Sequence, residues 1–345
     1  MVSPNDLIAL PDARRPLFAG VDVGGTGVKI GLVDDQGRTV ARTKMATLEE
    51  RGPEDCVERI VRTLQGELDK LSLTRDDIAA VGLGTPGTMD IPAGMILEPP
   101  NLPHWRDFPI RDCLARACGK PVAFANDANA AAYGEYWVGG GRDYQSMVML
   151  TLGTGLGGGI IVDDASIDGE NSHGSECGHI IIDYTDDARL CPCGQKGHLE
   201  AYASATALVK RTREALAAGR ASSLLDRVAD GEEVSGLMLA QEAEAGDELS
   251  LELILETAMY VGVGAVSLMH TIDPGAVILG GAMNFGGRDT ALGRRFLERV
   301  REEVRRRAFP IPAQKTVIDF AVLVGHAGYI GAAGIARVAY HKKQG

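Results

Sequence analysis

Cysteine is scarce in this chain. Six residues, Cys56, Cys113, Cys118, Cys177, Cys191 and Cys193, are spread over 345 positions, which is no disulfide framework. Cys191 and Cys193 have one residue between them, not the two of a CxxC redox pair, so a metal reading leads a redox one. Long apolar runs are also missing. The longest, YVGVGAVSLMHTI from Tyr260, falls short of the ~20 residues of a membrane span. The N-terminal MVSPNDLIALPDARRPLF has only LIAL among acidic and proline neighbours, unlike a secretory signal. A soluble, cytoplasmic protein is expected, with no membrane partner. Positive charge is in deficit: 35 Lys plus Arg against 47 Asp plus Glu give a net charge of -12. Such a field repels phosphate backbones and anionic lipid, so nucleic acid is not an expected partner. No heptad array or low-complexity tract occurs.

What the chain does have is length for two domains, 45% hydrophobic residues for real cores, and 44 glycines, nearly double the usual ~7%. The glycines cluster in short loops beside apolar runs, as tight turns or phosphate cradles require. LFAGVDVGGTGVKIGLVDDQG (Leu17 to Gly37) reads as a hairpin, two β-rich runs split by a glycine turn. SMVMLTLGTGLGGGIIVDD (Ser146 to Asp164) has the same form. Asp22 to Asp35 aligns with Thr151 to Asp164 without a gap, so the chain reads as internally duplicated. Each half carries a later strand ending in a glycine loop, Ala80 to Gly87 and Ala276 to Met283. Two related α/β lobes with a cleft between them are expected.

Helical spacing marks Pro53 to Leu71, with Pro near the start, and Asn126 to Trp137, which opens on good cap residues. Four further helices are expected near 204–219, 251–272, 291–308 and 328–343. Asp226 to Asp247 is the most loop-like stretch, although GLMLAQEAEAG within it can be helical.

GTGLGG, Gly153 to Gly158, formally fits G-x-G-x-x-G. The dinucleotide fingerprint needs a helix next, whereas GIIVDD continues as a strand. Two glycine hairpins instead suit a site in which backbone N–H groups and Thr hydroxyls wrap a triphosphate. Either turn alone reads equally well as a simple β-turn.

Taken together, DVGGTGVK (Asp22 to Lys29), NDANAAAYGE (Asn126 to Glu135), LGTGLGGGI (Leu152 to Ile160), ECGH (Glu176 to His179), CPCGQKGHLEAYAS (Cys191 to Ser204), DPGAVILGGA (Asp273 to Ala282) and GYIGAAGIA resemble the ROK family of sugar kinases and sugar-responsive repressors. The resemblance runs from about Gly20 to Ala336, every motif in family order. It implies the duplicated actin/hexokinase-type, ribonuclease H-like α/β fold: a smaller N-terminal lobe over 1–125, with the C-terminal helix at about 327–343 packed back on it, and a larger lobe over 126–326. It also implies ATP-dependent phosphorylation of a hexose, glucose first, at the 6-hydroxyl, with an N-acetylglucosamine or N-acetylmannosamine kinase as the second reading. A homo-oligomer, dimer or tetramer, is the family habit. Family repressors carry some tens of residues of helix-turn-helix before the DxGGT motif; here about twenty residues precede Asp22.

A sugar hydroxyl is a poor nucleophile, so a kinase needs a carboxylate to take its proton as the phosphoryl group arrives. The resemblance gives that role to Asp127, which from the residues alone reads also as a helix cap. Asp22, Gly24, Gly25, Thr26 and Lys29, with Thr154 and Gly155, correspond to the donor cradle, Asp22 where a carboxylate can hold hydrated Mg²⁺ beside ATP. Lys29 faces either solvent or the phosphates. Gly280 and Gly281 border the adenosine. The sugar pocket of similar kinases draws on Asn101, Asn126, Asp127, Glu176, His179 and Glu200, polar groups matched to a ring of hydroxyls. Gly87 lets the backbone approach the ring.

The family's structural zinc site combines the His of ExGH with three cysteines of CxCGxxGC. Here His198 stands at the third cysteine position, so His179, Cys191, Cys193 and His198 are the expected ligands of a His₂Cys₂ site. A bare loop without metal is the other reading. His173 and Cys177 rank low as substitute ligands.

Overall fold

The computed structural model describes residues 6–99 and 101–344. The chain divides into two compact units, neither continuous in sequence: 1–143, 159–175 and 322–345 in one, 144–158 and 176–321 in the other.

The first unit opens with β1 (Leu17–Val23), β2 (Gly27–Val33) and β3 (Thr39–Ala46), an antiparallel meander. After α1 (Gly52–Lys70), β4 (Ile78–Thr85) returns parallel to β1. The small hairpin of β5 (Met89–Asp90) and β6 (Met95–Ile96) and then α2 (Ile110–Cys118) lead to β7 (Val122–Asn126), parallel to β4 and running straight into α3 (Asp127–Val138). The sheet order is β3-β2-β1-β4-β7. β1 is buried at every position but Asp22, because both sheet faces are covered. α1 covers one face with Cys56, Val57, Ile60, Leu64 and Leu68, an apolar stripe at helical spacing.

The second sheet comprises β8 (Ser146–Leu152), β9 (Leu156–Val162), β10 (Ala165–Ser166), β11 (Ala276–Gly280) and β12 (Val317–Phe320), in the order β10-β9-β8-β11-β12. Strand for strand this repeats the first sheet: third, second, first, fourth, fifth. β8, β11 and β12 run parallel, as do β1, β4 and β7. The intervening helices are α4 (Glu200–Ala203), α5 (Ala205–Ala217), α6 (Leu224–Ala229), α7 (Gly236–Ala245), α8 (Glu248–Ile272), α9 (Ala291–Arg307) and α10 (Pro310–Lys315).

α11 (Ala327–Gln344) covers the other face of the first sheet, packing on β1, β4 and β7 and along α3. Its approach is set by glycines. Gly20 and Gly82 are partners across β1 and β4, and a Cβ on either would overlap a backbone carbonyl of α11, Tyr329 or Ala332. Where α11 crosses α3, a Cβ on Gly331 would overlap the Ala130 carbonyl. Phe18, Val33, Ala80, Tyr329, Ile330 and Ala333 fill this layer.

Two expectations change. The stretch 226–247, read as the most loop-like, completes α6, and GLMLAQEAEAG within it, which could be helical, supplies α7. Ser235 caps α7 by accepting from the Met238 amide at 3.2 Å, Met238 and Leu239 are buried, and Arg227 pairs with Glu232 and Glu242. Polar outer faces hide the apolar spacing of such short helices. α8 also exceeds the apolar run read from Tyr260: by length and composition it is long and apolar enough to cross a membrane, but 61% of its most apolar window is buried inside the protein. A core helix packed against α7, α9, α4 and α5 has that composition for the same reason.

Candidate functional site

In the first unit the expected site residues collect at the carboxyl ends of β1, β4 and β7, where α/β sheets place ligands. The turn after β1 is closed by the Gly24 amide donating to the Gly27 carbonyl at 2.9 Å. Thr47 ties it to the end of β3, its hydroxyl donating to the Gly24 carbonyl at 2.6 Å and its amide to the Thr26 carbonyl at 3.1 Å. Asn101 packs beside Gly25, 3.3 Å from where a Cβ there would lie. Asp22 lies opposite Lys29 on β2 and Gly84 on β4, with the Lys29 ammonium 3.8 Å from its carboxylate and half-exposed. Its carboxylate is wedged under Gly328, where a Cβ would come within 2.5 Å. Burial raises the Asp22 pKa, and Lys29 opposes the rise.

Asn126 and Asp127 divide two tasks that sequence leaves on either residue. Asn126 caps α3, its side-chain oxygen accepting from the Ala128 amide at 2.9 Å and the Asn129 amide at 3.4 Å. Asp127 is therefore the first helical residue, its carboxylate accepting from the Ala128 amide at 2.8 Å, at the end of a helix where negative charge is favoured. Gly84 of β4 lies 3.7 Å, measured from its would-be Cβ, from the Asp127 Cα. Gly84 thus separates Asp22 and Asp127. Gly87 has φ of +89° and presses on Pro99. The sequence reading passed over Thr85, the partner of Asn126 across β4 and β7: its hydroxyl is buried with no hydrogen-bond partner among the described residues. The one hint was a hydroxyl residue ending an apolar strand before Pro-Gly.

In the second unit, the turn after β8 is closed by the Gly153 amide donating to the Gly155 carbonyl at 3.0 Å. The start of α5 holds it, the Ala205 amide donating to the Gly153 carbonyl at 2.9 Å and the Thr206 hydroxyl to the Thr154 carbonyl at 2.8 Å. Glu200 fills the space that a side chain at 155 would need: a Cβ there would lie 2.5 Å from Glu200 Oε2. That oxygen accepts from the Leu156 amide at 2.7 Å, and the Cys191 thiol lies 3.7 Å from Oε1. Gly280 ends β11, and Gly281, at φ of +89°, lets its loop pack against Leu152 at the end of β8.

His179, Cys191, Cys193 and His198 converge, with one ligand atom from each within 4.8 Å of all the others. A closed tetrahedral zinc with Zn–S near 2.3 Å and Zn–N near 2.0 Å needs ligand atoms roughly 3.3–3.8 Å apart. The Cys193 sulfur and His198 Nδ1 are 3.2 Å apart, just under that spacing, and no ligand atom is more than 4.8 Å from another, so the donor set can close on the ion with shifts of about 1 Å or less. Gly194 and Gly197, at φ of +88° and +83°, turn the loop, and a Cβ on Gly197 would overlap the Asp183 carbonyl. Glu176 Oε2 lies 3.3 Å from His179 Nδ1 and raises the His179 pKa through its hydrogen bond, against the effect of burial. Burial pushes the Cys191 thiol up to about 12. For Cys193, burial acts upward too but is outweighed by the Gln195 amide, Cys191 and His179, so its pKa falls. His173 and Cys177 do not join the cluster. The His173 ring contacts its own loop at the Asn171 carbonyl, 2.5 Å away, and Cys177 is buried beneath Gly158.

The repeated strand order and these glycine turns place the protein in the class of actin-like, hexokinase-type phosphotransferase folds. The ROK family model matches residues 18–339, and the chain belongs to the ROK family. A glucokinase of Thermotoga maritima is 33% identical over 316 residues, 92% of this chain and 96% of the relative. The ROK hexokinase of Thermus thermophilus has a similar structure, with a TM-score of 0.79 and 32% identity over 95% of this chain and all of the other. A ROK family glucokinase of Streptomyces griseus, solved with glucose and AMPPNP, gives a TM-score of 0.74 and 34% identity over 93% of this chain and 99% of that one.

Proposed function

We propose that this ROK sugar kinase transfers the terminal phosphoryl group of ATP to the 6-hydroxyl of a hexose, glucose being the first candidate, with Asp127 as general base. The observation that carries this reading is the division of labour at the start of α3. Asn126 satisfies the helix amides, so Asp127 is not needed as the cap and its carboxylate is held at the carboxyl end of the parallel strands. A carboxylate there takes the hydroxyl proton as the phosphoryl group arrives, which is worth ~10²–10⁴-fold. The glucokinase relatives and the glucose and AMPPNP complex of the Streptomyces griseus enzyme support the choice of substrates.

In this reading Gly24, Gly25, Thr26, Thr154 and Gly155 offer amides and hydroxyls to the phosphates, with Gly280 and Gly281 near the adenosine. Asp22 holds hydrated Mg²⁺, an ion that retains most of its waters and needs few protein oxygens. Asn101, Asn126, Glu176, His179 and Glu200 bind sugar hydroxyls. His179, Cys191, Cys193 and His198 hold a structural zinc that fixes the wall carrying Glu200. Such support is usually felt as a 10–100-fold loss when disturbed. The test is an ADP-release assay across glucose, N-acetylglucosamine, N-acetylmannosamine, mannose, fructose and allose. Turnover strongest on glucose is expected; turnover on none ends the enzyme reading and returns attention to the repressor alternative, checked by DNA titration at low salt.

A further inference from the structure

Among the described residues four buried side-chain polar atoms have no hydrogen-bond partner, and two of them, Thr85 Oγ1 and Asn129 Oδ1, border the pair Asn126 and Asp127. Asn129 is only 4% exposed. A buried amide that leaves its oxygen unmatched costs stability, and an apolar side chain of similar volume avoids that cost. Stability therefore does not account for an amide at this place; its direction does. Asn129 is the third residue of α3, two after Asp127. Its backbone amide donates to the Asn126 cap at 3.4 Å, and its side-chain Nδ2 donates to Asp168 Oδ1 at 3.1 Å. Asp168, just past β10, is itself fixed. The same Oδ1 accepts from the Ser166 hydroxyl at 2.8 Å, and the Asp168 carbonyl accepts from the Gly174 amide at 2.7 Å. The close packing around this turn of α3 runs through glycines instead. A Cβ on Gly159 of β9 would lie 3.1 Å from the Ala128 carbonyl and 3.3 Å from the Asn129 Cα, and Gly331 of α11 meets the Ala130 backbone. Such contacts set how near the helix lies but leave its rotation and sliding soft. A hydrogen bond to a fixed acceptor is directional and removes that freedom. Asp127, on the same turn, rotates with Asn129.

We infer that Asn129 and Asp168 are positioning residues, whose hydrogen bond fixes the rotation of the first turn of α3 and with it the direction of the Asp127 carboxylate. This role rests on the reading of Asp127 as general base. A base must meet its hydroxyl in line, and a misplacement of about 1 Å can cost ~10²-fold. The experiment measures kcat, the KM for ATP and for sugar, and the melting temperature of four full-length variants: Asn129→Asp, Asp168→Ala, Asp168→Asn, and the exchange Asn129→Asp with Asp168→Asn. Each is made in the parent and in an Asp127→Asn background. Asn129→Asp sets two carboxylates against each other and Asp168→Ala removes the acceptor, so both are expected to lower kcat about tenfold or more, with both KM values within about threefold. Asp168→Asn keeps an accepting oxygen, and the exchange restores an amide facing a carboxylate; both should recover most of that loss. In the Asp127→Asn background the same changes should cost less than about twofold, because a positioning residue acts only through the group it positions. A purely structural pair would carry its cost into that background unchanged. Asn129 and Asp168 have no positioning role if kcat holds within about twofold in Asn129→Asp and Asp168→Ala, if the loss persists without the Asp127 carboxylate, or if it follows the melting temperature with no recovery in the exchange. Asp127→Asn alone separates the two readings. If it keeps turnover, the general base is misassigned and the positioning role falls with it; if it loses turnover while the Asn129 and Asp168 variants stay active, the base stands and only the positioning role falls.

Discussion

The two glycine turns share a strand, a turn and a strand, yet different chemistry holds them. The first, after β1, is pinned by a neutral hydroxyl at the end of the adjacent strand, Thr47 on Gly24. The second, after β8, is pinned by the carboxylate of Glu200, which itself follows the cysteine loop and lies 3.7 Å from the Cys191 sulfur. A disturbance of the cysteine loop therefore has a direct path to the second turn, through one carboxylate. Within its own unit, the first turn answers to β3 and to α11 instead.

The largest effect should come from the proposed general base. Asp127→Asn is expected to keep the fold and lose about 10²–10⁴-fold in kcat; retention of more than a few per cent of turnover in a protein with a parental melting curve would remove the general base from Asp127. Next come the glycines under α11. Gly331→Ala puts a Cβ into the Ala130 backbone, which cannot yield as a side chain can, and should cost about 3 kcal/mol or more. Gly264→Ala in α8 meets only the far end of the Leu199 side chain and should cost less, about 1–3 kcal/mol. Urea midpoints for the pair decide this, and equal losses would break the contrast.

Third, Cys191→Ser or removal of zinc by a chelator should lower kcat/KM about 10–100-fold, and Glu200→Gln should reproduce much of that loss with the metal still bound. Metal analysis that finds less than about a third of an equivalent of zinc in the purified parent would take the metal out of the comparison. Thr47→Val, the matching change at the first turn, removes one neutral hydrogen bond and should cost only about 1 kcal/mol, with zinc content unaltered.

The smallest effect is a pH dependence. Asp168 accepts from the Ser166 hydroxyl at 2.8 Å and the Asn129 amide at 3.1 Å, and burial raises its pKa in the folded state despite both bonds. The folded protein therefore holds the proton more tightly than the unfolded chain. Its contribution is fully present below the unfolded value and is lost as pH rises through the raised folded value. Asp168→Asn should flatten melting temperature against pH in that window; an unchanged slope would clear Asp168.

Much of this was legible in sequence, because the decisive features are local. The duplicated strand-turn-strand pattern reads directly from Asp22 to Asp35 and Thr151 to Asp164, and the two sheets repeat one order. The cluster of His179, Cys191, Cys193 and His198 followed from spacing and resemblance, and those four side chains do meet. Other features depend on partners distant in the chain. Asn126 and Asp127 are both good cap residues, and only the hydrogen bonds tell which one caps. Glu200 read as a sugar-pocket residue or one on a helix face, and only the structure shows its carboxylate meeting an amide 44 positions earlier. Gly20, Gly82 and Gly331 carry no local signal of the helix that needs them.

That helix has a consequence for how the protein is made. β1 leaves the ribosome long before the α11 residues that cover it. Until synthesis reaches Ala327, the first sheet lacks the cover on Phe18, Val33 and Ala80. Its completion is thus a late, long-range closure, slow for the reasons that high contact order is slow. A nascent chain halted after Phe320 would keep every expected site residue and still expose an apolar sheet face, a substrate for chaperones and aggregation rather than an enzyme.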